Sequence, residues 1–252
     1  PTRRSSDLPS YWRTGAYDRY TGTGWETTAE RREYDGGQLP ESGARAASLA
    51  HVVQLKQPAR ALPAAWRPSR LNNPSDNVTV DEFRTFRTDS PVRGNRTYVV
   101  ESYAPPRNPD LLRQQDGPAP PEIQRRFTQL PERTDERVSQ VTDQIAANAE
   151  SRYAVATQIE SYLERNKRYS LNASHDPERD VAVAFLYRMD KGYCEYFATT
   201  MTVMLRSQDI PARYVVGYST GQQVAEEPLT YNVRAMNAHA WVEVYFEEIG
   251  WV

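Results

Sequence analysis

Apolar side chains recur along this chain with two different periods, and the change of period divides it. From Tyr11 to Tyr103 the period is short. The run Tyr11-Trp-Arg-Thr-Gly-Ala-Tyr-Asp-Arg-Tyr-Thr-Gly-Thr-Gly-Trp25 is rich in aromatic and Thr residues interrupted by glycine, which predicts short strands joined by tight turns. His51-Val-Val-Gln-Leu55, Asn77-Val-Thr-Val80, Phe83-Arg-Thr-Phe-Arg87 and Thr97-Tyr-Val-Val-Glu-Ser-Tyr103 continue the strand vocabulary, punctuated by Pro58, Pro63, Pro68, Pro74 and Pro91. The expected structure is an antiparallel sheet or small sandwich, with the aromatic run Tyr17 to Trp25 in its β core rather than forming a binding surface.

Two proline runs follow, Ala104-Pro-Pro-Arg-Asn-Pro-Asp110 and Asp116-Gly-Pro-Ala-Pro-Pro121, and such stretches extend rather than fold. Past them the period lengthens to three or four. Thr134-Asp-Glu opens a helix with Val138, Val141 and Ile145 on its stripe. Tyr153, Ala156, Ile159 and Leu163 mark a second helix, whose C-terminal dipole is complemented by Arg165, Lys167 and Arg168. Asp176-Pro177 reads as the cap and first residue of a third, carrying Val181, Ala184 and Phe185. The resulting division is a β-rich domain over 1–115, a Pro-rich linker over 116–133 and a core over 134–252.

The chemistry concentrates in that core. Cys194 is the only cysteine. Lys191 and Gly192 break the preceding pattern, and Phe197, Met201, Met204 and Leu205 then recur at helical spacing, which places Cys194 in a first helical turn. Unpaired backbone N–H groups at such a position favour an anionic sulfur, the form that acts as nucleophile; a lone cysteine can equally be a buried structural residue. Downstream, Tyr214, Val216 and Tyr218 alternate on one strand. On another, His239, Trp241, Glu243 and Tyr245 share one face and Ala240, Val242, Val244 and Phe246 the other. A helix-borne cysteine followed by a strand-borne histidine is the element order of a Cys–His pair. Glu243 lies four residues beyond His239, roughly 13 Å along the strand, too far to orient its imidazole. Its expected role is structural, paired with an arginine such as Arg213. His51 and His175 read as surface or strand-edge residues, and no second ligand at metal spacing accompanies either.

Phe185-Leu-Tyr, Gly192-Tyr-Cys-Glu-Tyr-Phe-Ala198, Leu205-Arg-Ser-Gln-Asp-Ile-Pro-Ala-Arg213, Val216-Gly-Tyr218 and His239-Ala-Trp-Val-Glu243 together resemble the transglutaminase-like superfamily, in particular its prokaryotic membrane-anchored branch. The resemblance covers about residues 135 to 252. It implies an α+β architecture, a papain-like core preceded by the β-rich region, with Cys194 as nucleophile and His239 as general base. The orienting Asp of the triad is expected a few residues after Gly250-Trp-Val252, beyond the end of this chain, so the sequence reads as an excised domain. The implied reaction is acyl transfer from a glutamine carboxamide to a primary amine through a thioester on Cys194, with a cysteine protease or amidase, or a non-catalytic interaction domain, as alternatives. The backbone N–H of Cys194 is the first oxyanion donor, and the Tyr169 hydroxyl is a candidate second. The resemblance further implies an extracytoplasmic domain flanked by transmembrane segments. No cofactor or metal is expected.

Composition adds bounds. The 31 basic and 33 acidic residues leave a net charge of −2, which gives no reason to expect nucleic acid as a partner. Lysine occurs only at Lys56, Lys167 and Lys191, every other basic residue being arginine. No apolar run reaches the length of a membrane span, and a single cysteine excludes an internal disulfide.

Overall fold

A computed structural model describes residues 11–40, 48–72, 77–103, 108–132 and 134–252. Pro74, and Ala104 to Arg107 of the first proline run, lie outside them. The chain forms two compact units that do not follow chain order. The first comprises residues 1–16, 29–105 and 216–239, and the second 17–28, 106–215 and 240–252.

Alternation builds the first unit. In the strand Arg96–Tyr103 every second residue from Tyr98 is buried, and the strand pairs antiparallel with Ser48–Leu55 along its whole length, from Arg96 opposite Leu55 to Tyr103 opposite Ser48. Pro68–Asn72 pairs on its other side with a register shift between Glu101 and Ser102, completing a three-stranded sheet. A four-stranded sheet runs Arg31–Glu33, Val78–Asp81, Phe86–Val92, Ala59–Leu62. One apolar core joins the two sheets, with Leu55, Leu71, Tyr98 and Val100 from the first and Leu62, Val78, Val80 and Phe86 from the second. The expected small sandwich is therefore present. In the same unit Trp12 and Arg13 pair with Ala65 and Ala64. A Cβ on Gly217 would come within 1.9 Å of the Trp12 carbonyl oxygen, so a larger residue there would force the backbones apart.

The second unit is mainly helical, and its order is α1 (Pro109–Gln114), α2 (Pro121–Phe127), α3 (Glu136–Ala146), α4 (Arg152–Asn166), α5 (Val181–Tyr187) and α6 (Cys194–Arg206). The proline runs do not stay extended where they are described. Pro109 and Pro121 each occupy a first helical turn, where the missing N–H costs nothing and the fixed φ is already helical. Helix α3 begins as expected, with the Asp135 side chain accepting from the Arg137 N–H. Helix α5 starts later than its sequence suggests. Asp180 caps it by accepting from the Val183 N–H, while Asp176 closes a separate turn with Glu178 and Arg179. Lys167 is the C-cap of α4, its N–H donating to the Leu163 carbonyl, but its side chain and that of Arg168 do not stay at the end of that helix. Lys167 donates from Nζ to the carbonyls of Leu186 and Met189 at the end of α5, and Arg168 has already entered an extended segment.

The aromatic run at residues 17–28 belongs to this second unit and not to the β sandwich. Its hairpin pairs Arg19 with Glu26 and Tyr20 with Trp25. Tyr20 is buried and bonds the Gly22 carbonyl, and the Val181 N–H donates to the same carbonyl. The expectation that these residues fill the β core is corrected: they pack on helices instead. Among the described residues no helix is long and apolar enough to cross a membrane.

Candidate active site

Helix α6 carries the cysteine and is buried on nearly every side. Tyr196, Ala198, Thr199, Thr200, Val203, Met204 and Leu205 are all buried, whereas Phe197 and Met201 of the expected stripe are only partly so. Full burial of each of Val203, Met204 and Leu205 contributes about 2–3 kcal/mol of transfer free energy, which fixes the helix firmly. Cys194 is its first residue, partly buried, with Tyr193 at the cap position and no side chain capping the free N–H groups. The entry to the helix requires Gly192, because a Cβ there would approach the Phe185 ring to 2.6 Å and Tyr196 Cβ to 2.9 Å.

A short parallel ladder sets the neighbour of the thiol. Arg168 stands opposite Lys191 and Tyr169 opposite Gly192, and the Ser170 N–H donates to the Gly192 carbonyl at 2.8 Å. Tyr169 is thereby held beside the chain as it turns into α6, its ring 6.3 Å from that of Phe197. Burial, then the charge of Cys194 and a hydrogen bond to its side chain, raise the Tyr169 hydroxyl above the usual tyrosine range. The Cys194 backbone N–H, reaching the same oxygen, acts in the opposite sense. The Tyr169 hydroxyl therefore lies close to both the side chain and the backbone N–H of Cys194.

Below the thiol lies an aromatic stack that the sequence did not reveal. Trp25 lies parallel to Tyr214, with centroids 5.3 Å apart and an interplanar angle of 3°, and its Nε1 donates to Thr199 Oγ1 on α6. Arg206, buried at the far end of α6, places its guanidinium 4.9 Å from the Trp25 ring centroid. It donates to the carbonyls of Ala212, Asp18 and Gln129. Burial lowers its pKa to about 9 against the opposing charge of Asp18. Tyr214 is pushed up first by burial and then by negative charge at Glu195 and Cys194.

His239 is the last residue of its stretch of the first unit, whereas Cys194 belongs to the second. It follows the turn Ala235–Asn237, in the strand Ala238–Phe246, with the Tyr11 ring at 5.1 Å and a pKa lowered by burial. Further along that strand Glu243 is buried against Arg213, whose Nε donates to Glu243 Oε2 at 2.7 Å while Nη2 lies 2.5 Å from the same oxygen as an ion pair. The expected pairing of Glu243 with Arg213 is thus present. His175 is partly buried: its Nδ1 meets the Tyr196 hydroxyl at 3.1 Å and its ring stands edge-on to Tyr196. His51 lies on the edge strand Ser48–Leu55 against Trp12. Among the described residues no group of three or more His, Cys, Asp or Glu side chains is placed to hold a metal ion.

Residues 139–252 match the family model of the transglutaminase-like superfamily core, and residues 2–109 match that of the TgpA N-terminal domain. The core is a transglutaminase-like domain. The chain is 36% identical over 133 residues to the uncharacterized protein YebA of Bacillus subtilis (strain 168), covering 50% of this chain and 18% of that protein. It is 27% identical over 244 residues to a protein-glutamine gamma-glutamyltransferase of Pseudomonas aeruginosa, covering 96% of this chain and 34% of that protein. The chain thus spans about a third or less of the curated relatives it matches. Its fold is that of the crystal structure of the periplasmic domain of TgpA from Pseudomonas aeruginosa, with a TM-score of 0.71 at 24% identity over 97% of this chain and 80% of that one. The transglutaminase-like cysteine motif and the α6 helix fall together at Cys194, and both lie inside the matched core.

Proposed function

We propose that the protein is a cysteine-dependent acyltransferase acting on glutamine carboxamides, of the protein-glutamine gamma-glutamyltransferase type. The observation that carries this reading is the first turn of α6, where the Cys194 thiol, its own backbone N–H and the Tyr169 hydroxyl converge. In this reading the Cys194 thiolate adds to the carboxamide carbon of the acyl donor, and His239 holds the thiol proton. The Cys194 N–H and the Tyr169 hydroxyl donate to the oxygen as it becomes anionic. The C–N bond breaks, ammonia leaves with the proton from His239, and a thioester remains on Cys194. A primary amine then takes the acyl group and restores the thiol. The carboxylate that the family pattern places after Gly250-Trp-Val252 would orient His239 in this scheme. The relationship to a periplasmic domain supports a location outside the cytoplasmic membrane, and flanking transmembrane segments in the full-length protein belong to the same proposal.

The test combines two assays on the full-length protein. A fluorescent primary amine is offered with a glutamine-containing protein, and ammonia release is followed without amine. Incorporation that disappears in Cys194→Ala is the expected result. Ammonia release without incorporation would make the protein a hydrolase, and neither product would leave a binding module.

A further inference from the structure

The short ladder beside Cys194 leaves one edge open. Arg168 donates its N–H to the Asp190 carbonyl at 2.9 Å and Ser170 donates to the Gly192 carbonyl at 2.8 Å, so both turn their amides toward Lys191–Gly192. Main-chain groups alternate in direction along an extended segment, and those of Tyr169, between them, point the other way. Among the described residues no strand pairs on that side. The edge is open to water, with Tyr169 60% exposed and Leu171 76%. Contacts on its inner side fix its position. Register sets Tyr169 opposite Gly192, two residues before the nucleophile, and the Tyr169 ring lies 6.3 Å from that of Phe197 on α6. Ser170 Oγ accepts from the Asn172 N–H at 3.2 Å, which holds the bend that presents Leu171.

The N–H and C=O of one residue on an open edge exchange two hydrogen bonds with a single residue of an antiparallel partner, and the side chains of residues paired in this way lie on the same face. A glutamine paired with Tyr169 therefore sends its carboxamide along the Tyr169 side chain, toward the sulfur that the Tyr169 hydroxyl meets. A glutamine inside a helix has its amide and carbonyl already bonded within the helix and cannot pair so.

We propose that the acyl donor docks as an extended strand on the open edge at Tyr169, its reacting glutamine exchanging both main-chain hydrogen bonds with Tyr169 and an apolar side chain two residues before the glutamine covering Leu171. This rests on the acyl-transfer reading. The substrates are then glutamines in extended segments, not in helices.

The test follows amine incorporation by the full-length protein into a short peptide that carries leucine two residues before a central glutamine. N-methylation of the glutamine removes the N–H that reaches the Tyr169 carbonyl, and should lower kcat/KM about tenfold, the size of one lost main-chain hydrogen bond. N-methylation of the residue before it, whose N–H points away from the edge, should change kcat/KM by less than about twofold. In Leu171→Ser the preference for leucine over serine two residues before the glutamine should fall about threefold, as a partly covered apolar contact is lost. Equal effects of methylation at both positions, or a preference that Leu171→Ser leaves unchanged, overturns the docking while leaving acyl transfer intact. A glutamine-containing protein that takes up amine where the unmethylated peptide does not also overturns the docking alone. Failure of both donors overturns the acyl-transfer reading, and the docking with it.

Discussion

Replacing Glu243 with Gln removes the charge of a buried ion pair and nothing of its volume. Arg213 is 2% exposed and Glu243 also 2%, and the guanidinium donates to one carboxylate oxygen through Nε, with Nη2 in ion-pair range of the same oxygen. The opposite face of the guanidinium covers the Trp251 ring, 4.2 Å from its centroid, and Trp251 packs on Phe127 and Tyr245. An uncompensated buried cation costs about 3–5 kcal/mol when its partner is lost. Because the Gln amide oxygen can still accept one hydrogen bond, the lower end applies, about 3 kcal/mol. At roughly 2–4 °C for each kcal/mol in a chain of this size, the transition should move down by about 6–12 °C. Thermal melts followed by near-ultraviolet dichroism measure it. Turnover well below the transition should stay within about twofold, because Glu243 is placed to hold a fold rather than a proton. The double change Glu243→Leu with Arg213→Met should recover part of the loss, since apolar residues of similar size tolerate the site. An unshifted melt, or lost turnover in a variant as stable as the parent, would refute the reasoning.

In Tyr169→Phe, kcat should fall by roughly 10²–10³ with a much smaller change in KM, the signature of a donor that acts mainly in the transition state, measured by steady-state amine incorporation. Burial lowers the pKa of His51, so the unfolded chain takes up a proton more readily than the folded one. Stability is then complete above the unfolded value of about 6.5 and declines as pH falls from there through the lowered folded value. His51→Gln should flatten that decline in urea titrations between about pH 7 and pH 5. A chain beginning at residue 134 lacks Asp18, Trp25 and Gln129 and should not fold, giving no cooperative melt.

Where the governing contacts are local, the sequence was readable. Alternation gave the strands Ser48–Leu55 and Arg96–Tyr103, because a sheet with one buried face imposes period two. The cysteine helix was visible from Gly192 and the spacing after it, and the Glu243–Arg213 pair from the simple requirement that a buried carboxylate find a cation. Cap positions were harder. Asp176 and Asp180 are equally good caps by composition, and only the packing of Tyr20 and Gly22 against the start of α5 selects Asp180. The hairpin Tyr17–Thr28 was misplaced for a deeper reason. An aromatic run with glycines reads as β-rich wherever it packs, and the partners of Trp25 lie at Thr199, Arg206 and Tyr214, more than 170 residues away.

That long-range packing bears on the thiol, because Arg206 and Cys194 are the two ends of one rigid helix. Arg206 is a cation with almost no access to water, held by three carbonyl oxygens and an aromatic face. Hydrogen bonds to a charged group are worth about 1.5–3 kcal/mol each, so losing the carbonyls of Asp18 and Gln129 would cost roughly 3–6 kcal/mol. Losing Trp25 adds about 3–5 kcal/mol more, and the sum approaches the whole stability of an ordinary domain, about 5–15 kcal/mol. The opposite end of the helix is set by Gly192 and the ladder to Tyr169. Helix α6 is therefore fixed at its C-terminus by residues drawn from the N-terminal region of the chain and at its N-terminus by the core's own strand. The hairpin that supplies Trp25 acts as structure for the nucleophile, and a boundary drawn by chain order alone would cut the helix from what holds it.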